Sequence, residues 1–144
     1  MKVMIINGPS LNMLGIREPE IYGYDSYDDL LRYIRVNADR MGAQVHILQT
    51  NHEGQIIDWL QQAYFEKYDG VILNPGGYTH TSVAIADAIR AIAPLPVVEV
   101  HLSDIDERED FRKISYTAPC CAAQIKGKGF FGYLLAIEEL QKHL

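Results

Sequence analysis

Between an apolar run, Val3 to Ile6, and the first helical pattern lies the segment NGPSLNMLGIREPEIYG, residues 7–23. It puts an amide, Asn12, a permanent cation, Arg17, and a phenol, Tyr22, into one connection. A phenol near a guanidinium is a way to make a base. With an ordinary pKa of about 10, a tyrosine is only ~0.1% phenolate at neutral pH, and one close positive charge lowers a pKa by ~1–3 units. A connection this long without regular structure is uncommon in a compact domain and usually carries function. Gly8, Pro9, Gly15, Pro19 and Gly23 restrict its backbone or set special angles. Taken alone, Arg-x-x-x-x-Tyr fits a mobile lid with a packed tyrosine better than it fits a base.

A second group of polar residues follows other apolar runs. His101 ends the run that begins at Val97, and Glu99 lies two residues back, on the same face of a strand. The histidine either caps the strand end or serves as an acid, its ring oriented and its charge held by Glu99; an ordinary imidazole pKa near 6.5 suits that work. Ser103 follows it. Asn74 ends the run from Gly70, and His80 comes six residues later, as a ligand contact or as part of a helix cap. Arg108 and Arg112, four apart, either pair with Glu109, Asp110 or Asp104 on the surface or fork a carboxylate. His46, His52 and His143 read as surface or turn residues. The chain has no zinc-type cysteine cluster, no H-E-x-x-H and no G-x-S-x-G. Residues 127–132, GKGFFG, formally fit a dinucleotide fingerprint, but that motif belongs after the first strand. Before the last helical pattern it reads as a turn with close helix packing.

The elements that must position these groups alternate. Short apolar runs at residues 3–6, 43–50, 70–73, 97–101 and 120–125 read as strands, and runs of this kind are buried on both faces. Ser26 opens the first helix with Asp29 in a capping-box position, Tyr27, Leu30, Leu31, Ile34, Ala38 and Met41 at helical spacing, and Gly42 as the stop. The second helix places Ile56, Ile57, Leu60, Ala63 and Tyr64 on one face. The third, residues 81–93, is apolar nearly all round apart from Asp87 and Arg90, so one side faces the sheet and another a second subunit. Residues 106–112 add a short helix, and the last helix carries Phe130, Leu134, Ile137 and Leu144 on one stripe. Strands alternating with helices through right-handed crossovers give an α/β fold with a doubly wound parallel sheet. Ligands in such sheets bind beyond the carboxyl ends of the strands, where Asn12, Arg17, Tyr22, Asn74, His80, His101 and Ser103 all fall.

The chain has 144 residues, which fits a single domain, residues 1–144. Its net charge of -6 argues against a nucleic-acid partner. No apolar run approaches the ~20 residues of a membrane span. Strand-like sequence begins by residue 3, which leaves no room for a signal peptide. Cys120 and Cys121 are adjacent and point to opposite faces of a strand, so they read as free thiols of a cytoplasmic protein.

Three segments in order, residues 7–23, NPGGYTHTS at residues 74–82 and VEVHLSDIDEREDFR at residues 98–112, resemble type II 3-dehydroquinate dehydratase over nearly the whole chain. The resemblance implies a flavodoxin-like five-stranded sheet of order 2-1-3-4-5. It also implies a cofactor-free anti elimination of water from 3-dehydroquinate through an enolate, giving 3-dehydroshikimate in the shikimate route to aromatic compounds. By that resemblance Tyr22 is the base, Arg17 lowers its pKa, and Asn12 stabilises the enolate through a water. His101 is the acid for the departing hydroxyl and Glu99 its orienter. Asn74, His80, the backbone at Leu102, Ser103 and Arg112 hold the substrate, with Asp87 reaching in from a neighbouring subunit of a dodecamer built from trimers. Ser10, Gly77, Ala86, Asp104 and Asp106 depart from the usual family residues. A different class, a flavodoxin-like binding module or receiver domain, is disfavoured: Asn7 and Asn74 stand where a receiver needs carboxylates, and the first loop lacks the Ser/Thr-rich phosphate cradle of a flavin site.

Overall fold

The computed structural model describes residues 1–16, 20 and 25–144. Five strands, β1 (Lys2–Asn7), β2 (Gln44–Gln49), β3 (Gly70–Asn74), β4 (Val97–His101) and β5 (Ala123–Lys126), form one sheet of order β2-β1-β3-β4-β5 with every pairing parallel. The described α-helices are α1 (Tyr27–Arg40), α2 (Glu53–Phe65), α3 (Val83–Ala91) and α4 (Phe131–Gln141).

The two-residue period of β1 sorts the core into two layers. Val3 and Ile5 pack with Leu30, Ile34 and Ala38 of α1 and with Tyr133, Ile137 and Leu140 of α4. Met4 and Ile6 point the other way, against Ile56, Leu60 and Ala63 of α2 and Ile85, Ala88 and Ile89 of α3. Each Leu or Ile buried completely in such a layer contributes about 1.5–3 kcal/mol relative to an exposed one. The sheet is therefore doubly wound, as the alternating pattern predicts, with the flavodoxin-like order that the family resemblance implies.

Local sequence sets several boundaries. The Ser26 hydroxyl accepts from Asp29 N (3.1 Å) and Asp29 Oδ2 accepts from Ser26 N (2.9 Å), a reciprocal capping box that starts α1. The Ser82 hydroxyl accepts from Ile85 N and starts α3, two residues later than the apolar pattern implies. Other expectations shift. Cys120 and Cys121 precede β5, since residues 118–120 form a 3-10 turn. The predicted helix over residues 106–112 is two 3-10 turns, Ile105–Glu107 and Asp110–Lys113. Tyr64 is half exposed, and α4 buries Tyr133, Ala136, Ile137 and Leu140 while Leu144 is out in solvent. Gly127 and Gly129 both have positive φ, so the G-x-G of residues 127–129 is a turn. No described helix is long and apolar enough to cross a membrane.

Gly8 is required by space and not by backbone angle. It sits where β1 leaves the sheet, its N–H donating to Asn74 O at 2.8 Å. A Cβ there would lie 2.8 Å from Asn74 O and 2.9 Å from Pro75 C, and backbone atoms cannot swing aside as a side chain can. Gly8→Ala is expected to destabilise the fold by about 1–3 kcal/mol, read as a lower denaturant midpoint at unchanged slope.

Candidate active site

The carboxyl ends of β1, β3 and β4 open into a cleft of about 220 Å³. Asn74, His80, His101, Leu102, Ser103 and Arg112 line it, as does Arg108. Six positions singled out in the sequence, spread over two segments, thus converge because the neighbouring parallel strands β3 and β4 end on the same side of the sheet. Arg17 and Tyr22 lie outside the described residues. Asn12 is exposed in the 3-10 turn after β1 and its Oδ1 accepts from Gln49 Nε2 at 3.3 Å, so it stands beside the cleft and not among its lining. Asp87 is exposed on the outer side of α3, 3.4 Å from Arg90, away from this chain's cleft.

His101 is 5% exposed, and its Nε2 is 2.9 Å from Glu99 Oε2. Both side chains point to the same face of β4, as their spacing requires. With Nε2 committed to the carboxylate, Nδ1 is the ring nitrogen left to serve the cleft. Glu99 has no solvent exposure at all. Burial by itself pushes its carboxyl up; the hydrogen bond and charge of His101, then the hydrogen bonds of Thr117 and Gln124, outweigh that and hold it below the ordinary carboxylate value. A folded-state value below the unfolded one means that Glu99 contributes stability above the usual carboxylate range, and that this is lost as pH falls through the lowered value.

The floor under the cleft is a second polar cluster. Tyr133, wholly buried on α4, donates its hydroxyl to Asn7 Oδ1 (2.6 Å) and accepts from Asn74 Nδ2 (3.4 Å). Asn74 Oδ1 accepts from Gly76 N at 3.1 Å, so both ends of its amide are held. Asn7 Nδ2 in turn donates to Tyr27. Burial drives the Tyr133 phenol up, and it stays neutral.

The walls are fixed in the same way. His80 ends the 3-10 turn Gly76–His80, and its Nδ1 lies 2.7 Å from Ile114 O, which leaves Nε2 as the second nitrogen of a cleft-lining ring. The carbonyls of Leu102 and Ser103 accept from Gly129 N (3.0 Å) and Gly127 N (3.1 Å), so the glycine turn holds the backbone at the cleft edge. Arg112 packs over the Phe111 ring and donates Nε to Glu109, which lowers the Glu109 carboxyl. Two guanidiniums, two imidazoles, an amide and serine hydroxyls around one cleft suit a small, oxygen-rich anion. A buried Glu–His pair at its wall adds proton transfer.

Sequence reading missed the partners beneath these groups. Ser115, Thr117 and Gln124 around Glu99, and Tyr133 under Asn74, sit 16 to 59 residues from the side chains they hold. Only the β4–β5 register, which sets Gln124 beside Glu99, could have pointed to one of them.

Residues 1–141 match the family model described as dehydroquinase class II. The chain is similar to a protein of Fusobacterium nucleatum named 3-dehydroquinate dehydratase, 57% identical over 95% of this chain and 94% of that one. A protein of the same name from Clostridium perfringens strain SM101 is 51% identical over 100% of this chain and 98% of the relative. Among solved structures, a type II dehydroquinase from Butyrivibrio crossotus superposes with a TM-score of 0.96 at 48% identity, over 98% of this chain and 97% of that one. With sequence, fold and strand order all in agreement, the chain belongs to the class II dehydroquinase family.

Proposed function

We propose that this chain is a hydro-lyase that removes water from 3-dehydroquinate to give 3-dehydroshikimate, as the names of its relatives suggest. The observation that carries the reading is the buried Glu99–His101 pair, 2.9 Å apart, opening into a polar cleft at the carboxyl edge of the sheet. Tyr22, made basic by Arg17, takes the proton next to the ketone. The C–H electrons move into an enolate, which Asn12 stabilises through a water. The enolate then expels the C1 hydroxyl, and His101 protonates it so that water departs. Arg112 forks the substrate carboxylate, while Asn74, His80, Ser103 and the Leu102 backbone hold the hydroxyls. The scheme needs a base, an acid and enolate stabilisation, all of which amino-acid side chains supply. The product feeds aromatic biosynthesis in the cytoplasm, from one catalytic domain over residues 1–144.

A receiver or flavin module is not favoured. Asn7 and Asn74 at the strand ends are both bonded to Tyr133, and neither is a phosphoryl-accepting carboxylate. Incubation with 3-dehydroquinate decides the matter: near-ultraviolet absorbance of the conjugated enone should grow with time and enzyme concentration, and a flat trace overturns the reading.

The assembly we infer is a homo-oligomer, a dodecamer of trimers, in which Asp87 approaches a neighbour's cleft. Support comes from α3, whose outer side presents Val83, 57% exposed, beside Asp87 and Arg90. Sedimentation at micromolar concentration should give a mass many times that of one chain. A fully active monomer would remove both the assembly and the role of Asp87.

A further inference from the structure

Glu99 is a fully buried carboxylate surrounded by donors from separate segments. Gln124 Nε2, from the residue in register with it on β5, donates to Oε2 at 2.7 Å. Thr117, itself fully buried, donates its hydroxyl to Oε1. The Ser115 hydroxyl, anchored by accepting from Ala118 N at 2.9 Å, lies 3.2 Å from Oε2 and 3.4 Å from Oε1. His101 takes Oε2 from the fourth direction. The titratable groups around Glu99 are His101 on β4 and Cys121 before β5, and His80, Arg108 and Arg112 share the cleft with His101.

We propose that Gln124, Thr117 and Ser115 are positioning residues for the acid of the dehydration: they keep Glu99 ionised and aimed at His101 Nε2, so that Nδ1 is the nitrogen presented to substrate. The reaction in this statement rests on the proposed function, whereas the geometry does not. A buried carboxylate stripped of donors takes up a proton. A protonated Glu99 offers its own hydrogen to the imidazole and no charge, so the ring loses both its fixed tautomer and the anion that favours its charged form. None of the three touches the cleft, so their effect passes entirely through Glu99 and His101.

The test compares Thr117→Val and Gln124→Leu, which remove a donor at nearly constant volume, with Thr117→Ser, which keeps the hydroxyl. With 3-dehydroquinate, the first two should lose about tenfold in kcat at little change in KM, and Thr117→Ser should stay near wild type. Glu99 is held low in the native protein, so losing a donor raises it. The fall of kcat on acidification should therefore move to higher pH by about one unit. Simple loss of packing would lower kcat at every pH without moving that limb. A readout independent of activity is the nitrogen-15 spectrum of the histidine rings in ligand-free protein. At a pH where the ring is neutral, His101 should be a single Nε2–H tautomer in wild type and Thr117→Ser, and mixed in the other two. Unchanged tautomer and kcat in Thr117→Val and Gln124→Leu, or Thr117→Ser as impaired as Thr117→Val, overturns the proposal. Should wild-type protein leave 3-dehydroquinate untouched, the proposed function fails while the ring spectra still decide the positioning role.

Discussion

His101→Ala should lose about 10²–10⁴-fold in kcat while KM for 3-dehydroquinate changes little. The expectation follows from where the ring sits and what it touches. Its Nε2 is 2.9 Å from a carboxylate with no access to water, and the attraction between such a carboxylate and a ring that takes up a proton is screened far less than at the surface. The ring can therefore carry a proton to the cleft without first recruiting a counter-ion from solvent. Expelling hydroxide from an enolate is slow, and a positioned acid removes that barrier in the transition state only. This is why the loss should fall on kcat and not on binding. A histidine that merely capped β4 would leave the chemistry intact, so near-normal turnover in His101→Ala would assign it that structural role. A loss of stability of about 1–3 kcal/mol is expected either way, because removal of the ring leaves Glu99 with one donor fewer in a buried site.

How much of this was legible beforehand depended on how local the signal was. β4 could be bounded at Val97–His101 because Pro96 precedes an apolar run, interrupted only by Glu99, that ends on a polar residue. The start of α1 could be set to the residue because Ser26 and Asp29 cap each other within one turn. The parity that puts Glu99 and His101 on one face is a property of any strand. The last helix misled for the opposite reason. FGYLLAIEELQ is apolar on several sides, so its composition does not say which stripe faces the sheet, and packing chose Tyr133, Ala136, Ile137 and Leu140. Nor could local sequence show that Tyr133 reaches Asn7 across 126 positions, or that Thr117 reaches Glu99. Those contacts exist only because the crossovers bring the strand ends together. Nor does local sequence show that Ser10 adopts φ 68°, a left-handed angle uncommon for a residue other than glycine, asparagine or aspartate.

Tyr22→Phe should fold, bind substrate and be almost inactive, because in the proposed mechanism the base is its phenolate and no lysine forms an imine with the ketone. The alternative route to the same dehydration requires a lysine made nucleophilic by desolvation or by a nearby cation. The lysines of this chain are Lys2, Lys67, Lys113, Lys126, Lys128 and Lys142. None is among the described residues lining the cleft. Lys113 is 3.1 Å from Asp110, Lys142 is 3.2 Å from Glu139, Lys126 contacts Asp106, and Lys2 lies 4.1 Å over the Tyr68 ring. These four ammonium groups are engaged by carboxylates or a π-face outside the cleft, and none is placed to attack a ketone bound there. The proton must then leave to a side chain, with an enolate as intermediate. A phenolate is basic enough for a weakly acidic carbon, and a guanidinium beside it makes it available: lowering a phenol by two or three pKa units corresponds to roughly 3–4 kcal/mol of preference for the charged form. Arg17→Ala should accordingly be impaired in the same step as Tyr22→Phe. Borohydride added together with 3-dehydroquinate should leave the wild-type protein active and unlabelled. A lysine adduct seen by mass spectrometry, or substantial turnover by Tyr22→Phe, would replace the enolate with an imine and return Tyr22 to a packed residue of the loop.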